Sequence, residues 1–149
     1  MQGYPTISDK YDVAPAVLEG DVGVVAGAPV TLGTEAGRYK ACGTAADMVA
    51  GFVLATNVKL PLTYPAAAGV QEYVAGDAFN LMFKGFIAVP LDTTAVADNI
   101  ANGKAVAMLA GGKLTTTGVA AATDIPGAFF TGCKTVVKGV TLAEIAYNV

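Results

Sequence analysis

Hydrophobic positions along this chain come in short runs, and most runs are bounded by glycine. Three segments share one pattern: Gly27-Ala-Pro-Val-Thr-Leu32, Gly76-Asp-Ala-Phe-Asn-Leu81 and Gly103-Lys-Ala-Val-Ala-Met108. Each fits Gly-x-(Ala/Pro)-(Val/Phe)-x-(Leu/Met). The alternation at its end is that of a half-buried strand. A second glycine follows each segment, at Gly37, Gly85 and Gly112. Another strand-like run comes next: Arg38 to Cys42, Phe86 to Val89, and Lys113 to Thr116. The pattern predicts three hairpins, with the second glycine supplying positive φ at each tip. Gly111-Gly112 is the clearest tip. The copies are too few and too unevenly spaced for a solenoid.

Further strands are expected at Val49 to Val58, Val70 to Val74, Phe129 to Val137 and Leu142 to Val149. In the last, Ala143, Ile145, Tyr147 and Val149 alternate with Leu142, Glu144, Ala146 and Asn148, giving one wholly apolar face. Helical turns fit in two places. Asp92 to Ala101 starts with capping residues and stops near Asn102-Gly103, and Thr44 to Met48 suits a single turn. Lys59 to Gly69 carries two prolines and reads as a projecting loop, with Leu60, Leu62 and Tyr64 as candidate partner contacts. Residues 1–20 read as an extended arm, because Tyr4-Pro5 and Ala14-Pro15 obstruct helix. Tyr4, Ile7 and Tyr11 are its candidate contacts. The arm has two readings: it docks on a neighbouring subunit, or it packs as an edge segment on its own domain. Residues 21–149 read as one β-domain. The expected fold is all-β, a compact β-sandwich or β-barrel of short antiparallel strands with one or two helical turns at most.

Composition adds a second constraint. Charged residues are 14% of the 149, against roughly 25% in an ordinary soluble domain. Hydrophobic residues are 54%, many of them small. So few charges cover a small monomer's surface sparsely, and large apolar patches mark interaction sites. An oligomer or an assembly component is expected. The net charge of −3 and the scatter of the lysines argue against nucleic-acid binding. Apolar stretches are interrupted by Asp47, Asp77, Lys84, Asp98 and Lys104, well short of the roughly 20 residues of a membrane span. The first residues lack the basic start and apolar core of a secretory signal. Cys42 and Cys133 are accordingly expected to be free, buried thiols.

The search for chemistry is mostly negative. There is no histidine, which removes the commonest base at neutral pH and every His-dependent triad. Neither cysteine has a Cys-x-x-Cys neighbour, and no phosphate-binding Gly-Lys-(Ser/Thr) occurs. Asp47, Asp77, Asp92, Asp98, Asp124 and Glu72 could pair as acid and nucleophile or bind Ca²⁺. They sit mostly beside Gly, Ala, Thr or Pro, where aspartate commonly makes turns. No catalytic residue, cofactor or metal is expected, and a hydrolase using paired carboxylates ranks last. A carbohydrate- or receptor-binding β module is the alternative to an assembly role, although the chain has no tryptophan platform.

The order of pieces is itself informative. A proline-containing arm leads to Ala26-Gly-Ala-Pro-Val30, Val49-Ala-Gly-Phe-Val-Leu54 and Tyr73-Val-Ala-Gly-Asp-Ala-Phe79. Lys84-Gly-Phe-Ile-Ala-Val89, Gly103-Lys-Ala-Val106, Gly112-Lys-Leu-Thr115, Ile125-Pro-Gly-Ala-Phe129 and Ala143-Glu-Ile-Ala-Tyr147 complete it. This rhythm resembles the small capsid cement, or decoration, proteins of tailed bacteriophages. The resemblance implies a compact β fold and a non-catalytic virion protein, made in the host cytoplasm and bound to the capsid exterior. Its implied partners are the major capsid protein and further copies of itself, as a dimer or trimer at symmetry axes.

Overall fold

The computed structural model describes residues 12–55 and 71–149. The strands, in chain order, are β1 (Asp12–Leu18), β2 (Val24–Val25), β3 (Pro29–Leu32), β4 (Arg38–Ala41), β5 (Gly51–Leu54), β6 (Glu72–Tyr73), β7 (Ala78–Pro90), β8 (Ala105–Leu109), β9 (Lys113–Thr116), β10 (Thr123–Val137) and β11 (Val140–Tyr147). The one helical piece among the described residues is a 3₁₀ turn at Ala97–Asn99, inside the segment expected to hold one. The all-β expectation holds.

The sheet closes on itself twice. Its order is β1-β4-β3-β5-β7-β11-β10-β8-β9, and β1 also pairs with β7. That extra pairing makes β1, β4, β3, β5 and β7 a closed ring. The second half of β7 starts another ring through β11, β10, β8 and β9. A bridge between Leu91 and Leu114 draws this second ring together, with the Asp92 N–H donating to the Leu114 carbonyl at 2.7 Å. Each ring has its own core. The smaller core contains Leu18, Val30, Val53, Tyr73, Phe79 and Leu81. The larger contains Phe52, Leu54, Met82, Ile87, Val89, Val106, Met108, Phe130, Ile145 and Tyr147.

β5 and the start of β7 form the wall between the cores. All four residues of β5 are buried: Phe52 and Leu54 point into the larger core, Val53 into the smaller. A continuous apolar run is what a strand buried on both faces requires. β7 needs a further device, because it leaves one ring for the other. Phe79 and Leu81 serve the smaller core, whereas Met82, Ile87 and Val89 serve the larger. The register against β1 slips here: Val13 faces Met82 and Asp12 faces Lys84. Phe83 is therefore one extra residue in β7. A bulge of this kind inverts every later side chain, so odd positions point into the larger core from Ile87 on.

The hairpins β3–β4 and β8–β9 form as expected, with Gly37, Gly111 and Gly112 at positive φ. The middle hairpin does not. Gly85 has a φ of 140°, a glycine conformation, but β7 runs straight through it. The glycine bends a continuous strand where the sequence pattern suggested a tip. β7 and β10 have 13 and 15 residues, longer than expected, and β1 pairs with β4 in parallel. Residues 12–18, at the end of the segment read as an arm, are hydrogen-bonded into the first ring. In β11, Ala143, Ile145 and Tyr147 enter the larger core, but Val149 lies beyond the strand and is exposed.

Tyr147 pins the larger core. Its ring meets Phe52 edge-on at a 5.1 Å centroid distance, and its hydroxyl donates to the buried Val49 carbonyl at 2.8 Å. Burial pushes its pKa above the usual tyrosine value. Tyr147→Phe is expected to cost about 1–3 kcal/mol, the penalty for stranding a buried acceptor. Urea unfolding of the two proteins would measure it.

Candidate interaction surface

Among the described residues, no group of three or more His, Cys, Asp or Glu could hold a metal ion. Several acidic side chains are occupied locally. Asp47 accepts from the N–H groups of Gly43 and Thr44 and from the Thr44 hydroxyl. Asp77 accepts from the Val74 N–H, and Asp92 from the N–H and hydroxyl of Thr94. These bonds hold the Asp47 and Asp92 carboxyls below their ordinary pKa. A carboxyl shifted downward contributes stability above its unfolded-state value and loses it as pH falls through its folded-state value. Both groups are solvent-exposed, so the contribution is small. The expected turn role of these aspartates accounts for the geometry. Asp124 meets the Thr117 hydroxyl at 3.3 Å, and Arg38 pairs with the exposed Glu35.

Both cysteines are free, but only one is buried. Cys42 lies in the larger core, where burial, helped by the negative Asp47, pushes its pKa up to about 12. Cys133 is exposed on β10, contrary to the expectation of two buried thiols. It lies on the outer face of the sheet, beside Ala88 and Glu144, opposite the face that carries the core residues Val89 and Ala143, so no core covers it. Because the thiolate is the reactive form, maleimide applied to the native protein is expected to modify Cys133 and spare Cys42. Peptide mass spectrometry would read the ratio.

The predicted contact residues Tyr4, Ile7, Tyr11, Leu60, Leu62 and Tyr64 all lie outside the described residues. Within the described residues, exposed apolar side chains form separate spots. Val13 lies on β1 and Phe83 at the bulge of the paired β7, while Val22 and Val74 both flank Gly23. The third spot is the distal part of the β10–β11 hairpin. Every residue from Gly132 to Val140 is exposed, including Val136 at 67% and Val137 and Val140 at 43% each. Lys138 and Gly139 form its two-residue turn, both with positive φ, as a tight hairpin of this hand requires. Lysine pays for that conformation, which costs a non-glycine residue about 1–2 kcal/mol. Sequence reading placed strands here without seeing that they project. The signal was Val-Val-Lys-Gly-Val, a turn dipeptide between valines with no apolar–polar alternation.

Two concavities adjoin these surfaces. One, of about 340 Å³, lies where the two rings meet and is lined largely by apolar groups, including Val24, Pro29, Leu91 and Leu114. The other, of about 300 Å³, lies between the ribbon residues Lys134 and Val136 and Leu91, Ala95, Ala97 and Ile100, and Lys134 Nζ spans it to donate to the Ala97 carbonyl at 3.1 Å. Neither gathers catalytic groups. No helix among the described residues is long and apolar enough to cross a membrane.

Comparison with known proteins gives the family. No curated protein matches the chain in sequence. A chain from the structure titled "The capsid of Myoviridae Phage XM1" shares the fold at a TM-score of 0.67 and 19% identity, covering 96% of this chain and 88% of that one. Residues 3–148 match the family described as Structural cement protein (E217 gp24/Pam3 gp6). The match spans almost the whole chain, so this protein belongs to the phage structural cement family and has a structural, capsid-associated role in the virion.

Proposed function

We propose that the protein binds the outside of a phage capsid at junctions between capsomers and stabilises the mature shell. The observation that carries this reading is the family match over residues 3–148. The physics of the role asks for no catalytic group. A homo-oligomer, dimer or trimer, touches several capsid subunits at once. After the first contact the others are effectively intramolecular, so modest contacts sum to strong retention. Binding to the mature shell alone stabilises that shell by mass action. Residues Tyr4, Ile7 and Tyr11 of the amino-terminal segment and Leu60, Leu62 and Tyr64 of the proline-containing segment are proposed contacts, either with the shell or between copies. The scarcity and scatter of cations support a protein partner over nucleic acid, and the proposed action involves neither membrane nor turnover.

The test uses expanded shells of the parent phage prepared without this protein. Purified protein added to them is expected to co-sediment, to saturate at a fixed ratio to the major capsid protein, and to raise the temperature at which the shells rupture. A protein that stays in the supernatant at all shell concentrations would refute the reading.

A further inference from the structure

We infer that the projecting β10–β11 ribbon grips a capsid subunit, pairing its free edge with an extended apolar segment of that subunit whose flanking carboxylates meet Lys134 and Lys138. This deepens the proposed attachment to the shell and rests on it.

The ribbon is built to be covered. Nine consecutive residues, 132–140, are exposed; β11 stays bonded to β7 and Leu91 as far as Thr141, so from Val136 to Val140 two strands stand alone, a marginal arrangement in water. β10 pairs with β8 as far as Phe129, and Phe130 is held through Gly103 and Lys104. Beyond Gly132 its outer edge has no backbone partner among the described residues, while the inner edge pairs with β11 from Lys134 to Val137. A free edge of this kind accepts an added strand: backbone bonds supply affinity and side-chain pockets supply choice. The pocket is present. Lys134 and Val136 face the cavity of about 300 Å³ above Ala95, Ala97 and Ile100, room for an apolar side chain of the incoming strand.

Charge selects the occupant. Between Asp124 and Glu144 the only charged residues are Lys134 and Lys138, in a chain whose net charge is −3. The ribbon therefore opposes the sign of the whole molecule. Lys134 Nζ donates to the Ala97 carbonyl at 3.1 Å, which leaves its other two N–H groups for a carboxylate; Asp92, also at the cavity border, keeps its charge but is turned to Thr94. A second copy is the poorer partner. Two such ribbons side by side would bring Lys134 and Lys138 of each copy near those of the other, with no acidic residue between Asp124 and Glu144 to offset them. An acidic, apolar segment on the capsid avoids that clash.

Cys133 provides a footprint without mutation. On the wild-type protein, binding to cement-free shells of the parent phage is expected to slow maleimide labelling of Cys133 at least ten-fold. The double variant Val136→Asp/Lys138→Glu is expected to lose at least ten-fold in retention on shells. Lys138→Asn removes the charge but suits the left-handed turn, and is expected to bind with intermediate strength and weaker salt dependence. Full-rate labelling of Cys133 in shell-bound protein would overturn the inference, even if the variants misfold. So would folded variants that bind like wild type, or variants that bind shells normally but lose self-association. Wild-type protein that fails to bind at all would instead refute the attachment itself.

Discussion

Phe52→Ala is expected to destabilise the protein by about 3–5 kcal/mol, the usual cost of emptying a buried aromatic site. Phe52 has no exposed surface. It packs edge-on against Tyr147 and sits opposite Met82 across the β5–β7 pair, in the wall that the two cores share. Its neighbours in the larger core, Met82 and Tyr147 among them, would have to move to fill the void, and the ladder fixes them in place. Equilibrium urea unfolding measures the loss. A change below about 1 kcal/mol would show that the wall repacks freely, against the close packing of a native interior.

Gly51→Val should be at least as damaging, by about 3 kcal/mol or more, through crowding where Phe52→Ala leaves a void. A β-carbon at this position would lie 2.5 Å from the Met82 carbonyl oxygen and 2.7 Å from a Leu81 methyl carbon. The first obstacle is backbone, and it belongs to the strand that serves both rings. Relief requires β5 and β7 to separate, which breaks the pairs Phe52–Met82 and Val53–Leu81. Low soluble yield or a lowered urea midpoint is the expected readout. Gly51→Ala within about 0.5 kcal/mol of wild type, the range of a harmless surface change, would contradict the close approach.

These two positions show what sequence can and cannot reveal. Val49-Ala-Gly-Phe-Val-Leu54 reads as a buried strand, but nothing in it says that its two faces meet different cores. The hairpins at Gly37 and Gly111-Gly112 were legible because a tight reversal depends on a few neighbouring residues. Gly85 misled because positive φ serves a bent strand as well as a tip. β1 was legible only as one of two readings, an edge segment packed on its own domain, because a docking arm suits Pro15 equally well. The strand tolerates it because β4 pairs only with Val17 and Leu18, leaving the proline beside an unpaired edge. The parallel β1–β4 pair and the bulge at Phe83 depend on contacts distant in sequence, and no local pattern reports them. The lack of histidine, and with it of every His-dependent triad, was legible from residue types alone. The projecting ribbon was not, since exposure depends on where the rest of the sheet ends.

The common strand has a mechanical meaning. A shell holding a compressed genome pulls on whatever is fastened to it. A load entering through the hairpin tip runs down β10 and β11, and β11 lies antiparallel along β7 from Pro90 to Gly85. Tension directed along those strands shears a whole row of hydrogen bonds together instead of peeling them apart singly. On the proposed attachment through the ribbon, β7 would carry that force into the opposite ring, and the molecule would take the strain as one tie-bar.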